Sequence, residues 1–336
     1  MKEEGAPGME LTRVKRELLR RCVGEVLRDR FAAGASLHSI EARASEHRGH
    51  HASHILTATL TDGRKLMLFL KDYGSFRFER EDMSERRTRE LLTYRSLLTN
   101  VDLGTPAYYG SVWDEPDGPF WLLLEFVEGT SLRYSDYEHW VSAAAWLGRL
   151  HGFFFRQQQW IRSLEFLERR DEVHFVRAAD LVEACVVARS GAAARRLAPT
   201  MRRFRDAATL MAAGPHSLQH GSYRASQIVV DHREDPPRIR PVDWERAGVG
   251  CAFYDLAFLA DGFKGPRLRQ ILGSYRSEAT SWGLPVPDLE ELGRLVDLFR
   301  LYWAMRRLTK HSGPSAPETV FNRLLDSAED VAEAVG

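Results

Sequence analysis

The chain has 336 residues, of which 44% are hydrophobic and 28% charged. That length and composition suit two domains or one bilobal enzyme and exclude a disordered chain. Lysine and arginine number 47, as do aspartate and glutamate, so the net charge is zero, which argues against binding nucleic acid through bulk cationic charge. Three widely spaced cysteines, Cys22, Cys185 and Cys251, fit no metal or redox pattern and are expected to be reduced thiols in a cytoplasmic protein. The opening stretch MKEEGAPGME has no apolar run of the kind a signal peptide needs. The longest apolar stretch, Phe120 to Val127, is interrupted by Glu125 and is too short to span a membrane.

In chain order, residues 11–33 read as an amphipathic helix with Leu11, Val14, Leu18, Cys22, Val26 and Phe31 near one face. Residues 37–72 read as strands, and Thr61-Asp62-Gly63 between Ile55–Leu60 and Leu66–Leu70 is a hairpin signal. Period two puts Met67, Phe69 and Lys71 on one face of the second strand. Residues 79–98 form a predicted helix on which Glu90, Tyr94 and Leu97 share a face. A second hairpin is expected over 107–113 and 119–127, turning at Pro116-Asp117-Gly118-Pro119. Helices follow over 137–154 and most of 172–212, a β-rich segment over 218–243, and further helices over 266–282, 288–310 and 316–334. The order is a β-rich N-terminal part followed by a helical part with one small hairpin inside it.

Chemistry concentrates in Leu218-Gln-His-Gly-Ser-Tyr-Arg-Ala-Ser-Gln-Ile-Val-Val-Asp231, then Arg240-Pro-Val-Asp-Trp-Glu-Arg-Ala-Gly-Val-Gly250 and Tyr254-Asp-Leu-Ala257. These segments resemble the aminoglycoside phosphotransferase and choline kinase-like family, which carries His-Gly-Asp, four residues, Asn, a hairpin, Ile-Asp-Trp-Glu and then Asp-Leu-Ala. The resemblance extends to Lys71 in Leu-Phe-Leu-Lys-Asp-Tyr, Glu90 in Arg-Glu-Leu-Leu-Thr-Tyr-Arg, a hinge-like Leu-Leu-Leu-Glu-Phe-Val-Glu-Gly over 122–129, and a helix ending Leu147-Gly-Arg-Leu-His151. It implies an α+β, bilobal protein-kinase-like fold, with a small antiparallel-sheet N-lobe over 1–128 and a mostly helical C-lobe over 129–336. It further implies that Lys71 touches the nucleotide phosphates and pairs with Glu90, and that ATP lies with its adenine near Glu125 and Val127. Gln227 and Asp243, at the two ends of the hairpin 228–242, would supply the hard oxygen ligands that Mg²⁺ prefers. His220 is expected to fix the loop rather than act as a base, and Asp255 to brace it.

The sequence departs from the family pattern at two positions. Ser222 stands where the family has its catalytic Asp, and a serine hydroxyl is not a useful base at neutral pH. Gln227 replaces Asn and keeps the amide oxygen on a longer stem. Ser222 leaves three readings: positioning alone suffices for a loose transition state, another carboxylate substitutes, or nucleotide binds without transfer. Arg224 either holds the transferring phosphate or braces the loop. Around Gly49 the expected phosphate-covering segment holds Arg48 together with His47, His50, His51 and His54. Their spacing matches no standard metal site and reads as a basic, pH-sensitive loop with Arg48 over the phosphates.

The function implied is an ATP-dependent phosphotransferase acting on a hydroxyl of a small molecule or peptide. The alternatives are a Ser/Thr kinase acting on a lanthipeptide- or thioamitide-type precursor with a partner lyase, and a nucleotide-binding pseudokinase that supports a partner enzyme. No nucleic acid or membrane partner is expected. Arg189, Arg195, Arg196, Arg202, Arg203 and Arg205 make 186–206 strongly basic, which disfavours a polycationic acceptor and points to an anionic group on a substrate or partner.

Overall fold

The computed structural model describes residues 13–30, 36–45, 51–76, 82–113, 119–313 and 315–335. The chain opens with helix α1 (Arg13–Arg30), strands β1 (Leu37–Ala44), β2 (His51–Leu60) and β3 (Lys65–Phe76), helix α2 (Met83–Leu92), and strands β4 (Tyr108–Val112), β5 (Trp121–Glu125) and β6 (Thr130–Ser131). Helices α3 (Tyr137–Phe155) and α4 (Gln158–Ser163), strand β7 (Glu168–Arg170), helices α5 (Glu172–Arg189) and α6 (Gly191–Ala213), and strands β8 (His216–Gln219), β9 (Ile228–Asp231), β10 (Arg238–Pro241) and β11 (Gly248–Cys251) follow. Helices α7 (Phe253–Leu259), α8 (Gly265–Ser281), α9 (Leu289–Lys310) and α10 (Glu318–Val335) complete it. The elements group into two compact units, one comprising the chain up to Gly129 with Asp231–Glu245, the other Thr130–Val230 and the chain from Arg246 on. No helix among the described residues is long and apolar enough to cross a membrane.

The first unit is built on a five-stranded antiparallel sheet in the order β1-β2-β3-β5-β4. Alternation along β3 sends Leu68 and Leu70 into the core and Lys71 to the opposite face. The β2–β3 connection is the expected tight turn: Gly63 takes a φ of +84° and its N–H donates to the Leu60 carbonyl at 3.0 Å, a backbone that glycine adopts without strain. Leu19, Val23 and Leu27 of α1 pack against Leu56, Ala58, Leu68, Leu70, Trp121 and Leu123 of the sheet. The predicted face of α1 is therefore corrected. Its centre is the Leu19, Val23, Leu27 row with Cys22 beside it, while Leu18 and Val26 flank it half-buried. Leu11 and Phe31 lie outside the described residues, as does the turn 114–118.

Helix α2 continues through a π-type turn over Thr93–Leu98, and Glu90, Tyr94 and Leu97 are all buried, as their spacing predicts. The segment Asp231–Glu245, expected in the C-terminal part, belongs to the first unit. Ion pairs Arg240–Glu125, Asp243–Lys71 and Glu245–Arg86 tie it there.

The second unit is mostly helical. The stretch 172–212 is two helices: Ser190 ends α5 with an extended backbone and caps α6, its hydroxyl accepting from the Ala193 N–H at 3.2 Å. A three-stranded sheet in the order β7-β11-β8 pairs β11 parallel to β7 and antiparallel to β8, and β6 pairs with β9. Helices α3 and α8 pack along each other. Of the basic run at the end of α5 and along α6, four arginines have partners within the unit. Arg189 donates to the Gly313 and Ala316 carbonyls at 2.6 and 2.8 Å. Arg196 pairs with Asp326 at 2.6 Å and with Glu329, Arg203 donates to the Ala332 carbonyl at 2.8 Å, and Arg205 pairs with Asp180 and Glu183, each at 2.6 Å. Arg189 thus ties α5 to the segment preceding α10, and Arg196, Arg203 and Arg205 fasten α6 to α10 and α5, so these four serve internal contacts, while Arg195 and Arg202 are exposed.

Candidate active site

In the first unit, Lys71 Nζ donates to Glu90 Oε2 at 2.6 Å and to Asp243 Oδ1 at 2.8 Å. Lys71 comes from β3 and Glu90 from the third turn of α2, 1% exposed. Tyr73, two residues on and so on the same strand face, donates its hydroxyl to Glu90 and places its ring 5.2 Å from the Lys71 ammonium. Burial alone would lower the Lys71 pKa, but the Asp243 and Glu90 carboxylates outweigh it and hold the ammonium well above its ordinary value. Burial, with the Asp243 charge adding to it, pushes the Glu90 carboxyl up to about 7 against the pull of Lys71 and Tyr73.

Asp243 is the single non-glycine with positive φ, +69°, among the described residues. A backbone there costs about 1–3 kcal/mol and persists only where its surroundings over-determine it. The next residues supply that constraint: Trp244 is fully buried, the Glu245 carboxylate accepts from Arg86 at 2.9 Å, and the Glu245 carbonyl accepts from Arg89 at 2.9 Å. The Asp243 side chain keeps 32% of its surface exposed. The Glu125 carboxylate accepts from Arg240, which also reaches Asp231 at 3.2 Å. Hydrogen bonds from Arg233 hold the Asp231 carboxyl down at about 2. The Glu125 and Phe126 N–H groups donate to the Ala107 and Met67 carbonyls at 2.8 and 3.3 Å, and Val127 is half-buried.

In the second unit, β8 runs into the bend His220-Gly221-Ser222. Asp255, fully buried on α7, accepts from the His220 and Gly221 N–H groups at 2.6 and 2.9 Å. His151 sits behind it, Nε2 3.5 Å from the Asp255 carboxylate and Nδ1 2.9 Å from the Tyr275 hydroxyl. Gly221 has φ +79°, and a Cβ there would stand 1.8 Å from the Arg246 carbonyl oxygen. The Ser222 carbonyl accepts from the Arg224 N–H at 2.7 Å, and Tyr223 anchors the bend by donating its hydroxyl to the Ala143 carbonyl at 3.0 Å and stacking on Trp146. Arg170, buried over the Tyr254 ring, donates to Gln219, Glu168 and the Arg246 carbonyl at 2.7–2.8 Å. Ser222 is thus a buried residue on a tightly braced turn, and Gln227 ends the 3₁₀ turn Ala225–Gln227.

The profile of the phosphotransferase enzyme family (APH) matches residues 60–288. The chain belongs to this family. No curated protein matches it. Among solved structures it is similar to a putative aminoglycoside phosphotransferase from Ralstonia eutropha JMP134 (14% identity, TM-score 0.59, covering 93% of this chain and 95% of that one). It is similar to APH(2")-IIIa in complex with GDP and kanamycin (15%, 0.58, 93% and 97%), and to choline kinase from Cryptosporidium parvum Iowa II (12%, 0.58, 88% and 90%). These likenesses show the fold, which is bilobal, α+β and kinase-like.

Within this phosphotransferase-family chain, the structure brings Lys71, Glu90 and Asp243 together, while Glu125 and Val127 lie at and after the end of β5 in the same unit. Ser222, Arg224 and Gln227 lie in the second unit. Arg48, His47 and His50 lie outside the described residues. His51 and His54 are corrected: they are buried strand residues of β2, His51 packing edge-on against Tyr73, and so are not part of an exposed loop. No group of three His, Cys, Asp or Glu fit to hold a metal occurs among the described residues. Sequence reasoning missed Tyr73, which period two would have found, and Arg170 and Tyr223, whose partners are far away in the chain.

Proposed function

We propose that the protein transfers the γ-phosphoryl group of ATP to an acceptor hydroxyl. The observation that carries this is Lys71 bridged between Glu90 and Asp243. An ammonium fixed between two carboxylates is oriented for phosphate oxygens, and phosphoryl transfer asks the protein mainly for positioning and charge neutralisation. Asp243 fits a Mg²⁺ ligand: it is a hard carboxylate, partly exposed, on a backbone strained into place. Mg²⁺ needs only one or two protein carboxylates beside the phosphates, so the site does not require a larger acidic cluster. Gln227 supplies the amide oxygen that the family resemblance assigns to the metal. When bound, Mg²⁺ would neutralise charge on the phosphates.

In the reaction the acceptor oxygen bonds to the γ-phosphorus, the bond to the bridging β–γ oxygen breaks, ADP leaves and the hydroxyl proton passes to solvent. Ser222 orients the acceptor hydroxyl by hydrogen bonding and cannot take its proton. The protein acts in the cytoplasm with ATP as donor. Ser222 itself favours one second reading, a nucleotide-binding pseudokinase that serves a partner enzyme.

Calorimetric titration should show metal-dependent ATP binding that Asp243→Ala weakens. The absence of both heat and thermal shift with every nucleotide would refute the proposal. Acceptor-dependent ADP release separates the two readings. Ser222→Asp should raise turnover by about 10²–10⁴-fold, whereas a protein that binds MgATP but turns over in neither form is the pseudokinase.

A further inference from the structure

Lined in part by Arg224 and Ala225 of the loop after Ser222, the second unit holds a pocket of about 230 Å³. Its apolar walls are Trp140 of α3, Phe258 of α7 and Trp303 of α9. The Trp303 indole N–H, itself buried, has no protein acceptor among the described residues. Arg300 and Arg307 share the Trp303 face of α9 at spacings of three and four, and Arg224 enters from the loop two residues after Ser222.

The three guanidinium groups are not equivalent. Arg300 is committed to structure, pairing with Asp297 at 2.8 Å and donating to the Ala260 carbonyl. Arg307 meets the only acidic liner, Asp261, at 3.9 Å, and both are exposed. Arg224 makes no ion pair among the described residues. Its guanidinium lies 4.7 Å from the Phe258 ring centre and 5.8 Å from that of Trp303, so the aromatic floor fixes its plane. Desolvation and the neighbouring Arg307 charge pull its pKa below the ordinary value, against a weaker opposing effect of Asp261. A stacked, pre-oriented guanidinium without a carboxylate, beside a second cation, matches the planar fork geometry of a carboxylate or phosphate.

We propose that this pocket holds the acceptor, and that the acceptor is a small hydroxylated molecule carrying an oxyanion, a carboxylate or a phosphate, on an apolar body. The proposal rests on the phosphotransferase reading for its hydroxyl and on the Arg224–Arg307 pocket for its charge. The volume admits a small molecule, lying below the roughly 300–1,000 Å³ of a drug-sized site. A polycation would bring its own ammonium groups against Arg224 and Arg307.

The test uses the whole protein and the fluorescence of its tryptophans, two of which line the pocket. Para-hydroxyphenylacetate and glycerol phosphate serve as carboxylate and phosphate probes, tyrosol as the neutral analogue, and choline and kanamycin as cations. At least one anion should quench saturably, and tyrosol and both cations should bind at least about tenfold more weakly, the ratio that one charge-assisted contact supplies. Which anion binds identifies the oxyanion. Arg307→Gln should weaken the anion by about tenfold, and Asp261→Asn should tighten it, opposite signs that a general loss of folding cannot produce. MgATP titration on the same samples should be unchanged in both variants. Anion binding that is absent, or equal in wild type and both variants, or weaker than that of kanamycin, overturns the proposal. Failure of MgATP to bind wild type overturns instead the phosphotransferase reading, so the two failures are distinguishable.

Discussion

Asp255 is the side chain that holds the His220-Gly221 backbone of the second unit in place. Its fully buried carboxylate accepts the His220 and Gly221 N–H groups at 2.6 and 2.9 Å and faces His151. Asp255→Ala leaves both backbone donors buried without an acceptor. Each orphaned donor costs about 1–3 kcal/mol, so the variant should lose about 2–6 kcal/mol. For a unit of this size, about 2–4 °C of Tm goes with each kcal/mol, so thermal unfolding should shift down by roughly 4–24 °C. Asp255→Asn keeps one acceptor oxygen but turns an amide N–H₂ toward the second donor, so its loss should be about half as large. The assay is calorimetric or circular-dichroism melting of the three proteins, with MgATP titration at a temperature where all are folded. An Asp255→Ala protein melting within about 2 °C of wild type, or an Asn variant worse than Ala, would refute the reasoning that the carboxylate holds the turn by accepting two backbone bonds.

Other expectations test separate parts of the structure. Glu90 binds its proton more tightly folded, at about 7, than its ordinary 4.5. Its contribution to stability is therefore fully present below 4.5 and is lost as pH rises through about 7. The difference in unfolding free energy between wild type and Glu90→Gln should fall over that window in denaturant titrations, and a flat difference would contradict the assignment. Arg196→Glu should loosen α10 by opposing Asp326 and Glu329. A salt-sensitive Tm loss of about 2–4 °C is expected for such exposed pairs, with MgATP binding unchanged; altered nucleotide binding would contradict the structural role. Gly221→Ala must move the Arg246 carbonyl or the bend itself, so melting should fall by more than in Asp255→Asn, and a wild-type melting curve would show the turn is not closed as described.

Local pattern made much of the protein legible from its residues. Period two on β3 placed Lys71 opposite the leucines, and helical spacing placed Glu90 on the buried face of α2 beside Tyr94 and Leu97. The Asp62-Gly63 turn carries its own backbone chemistry and so announces itself. The order of motifs around His220, Asp243 and Asp255 points to the family by itself. Tertiary structure alone decided what depends on partners distant in the chain. Asp231–Glu245 joins the first unit because its carboxylates and Arg240 meet Lys71, Arg86 and Glu125, over a hundred residues away. Arg189 of α5 and Arg196, Arg203 and Arg205 of α6 read as part of a ligand-facing patch because a charge run shows no trace of the carboxylates and carbonyls that meet it, and these arrive with α5, α10 and the segment before α10. The left-handed backbone of Asp243 and the pocket joining Trp140, Arg224, Phe258 and Trp303 arise from packing among separate elements. No spacing within a single element encodes either, because side chains from different elements meet only once the chain has folded.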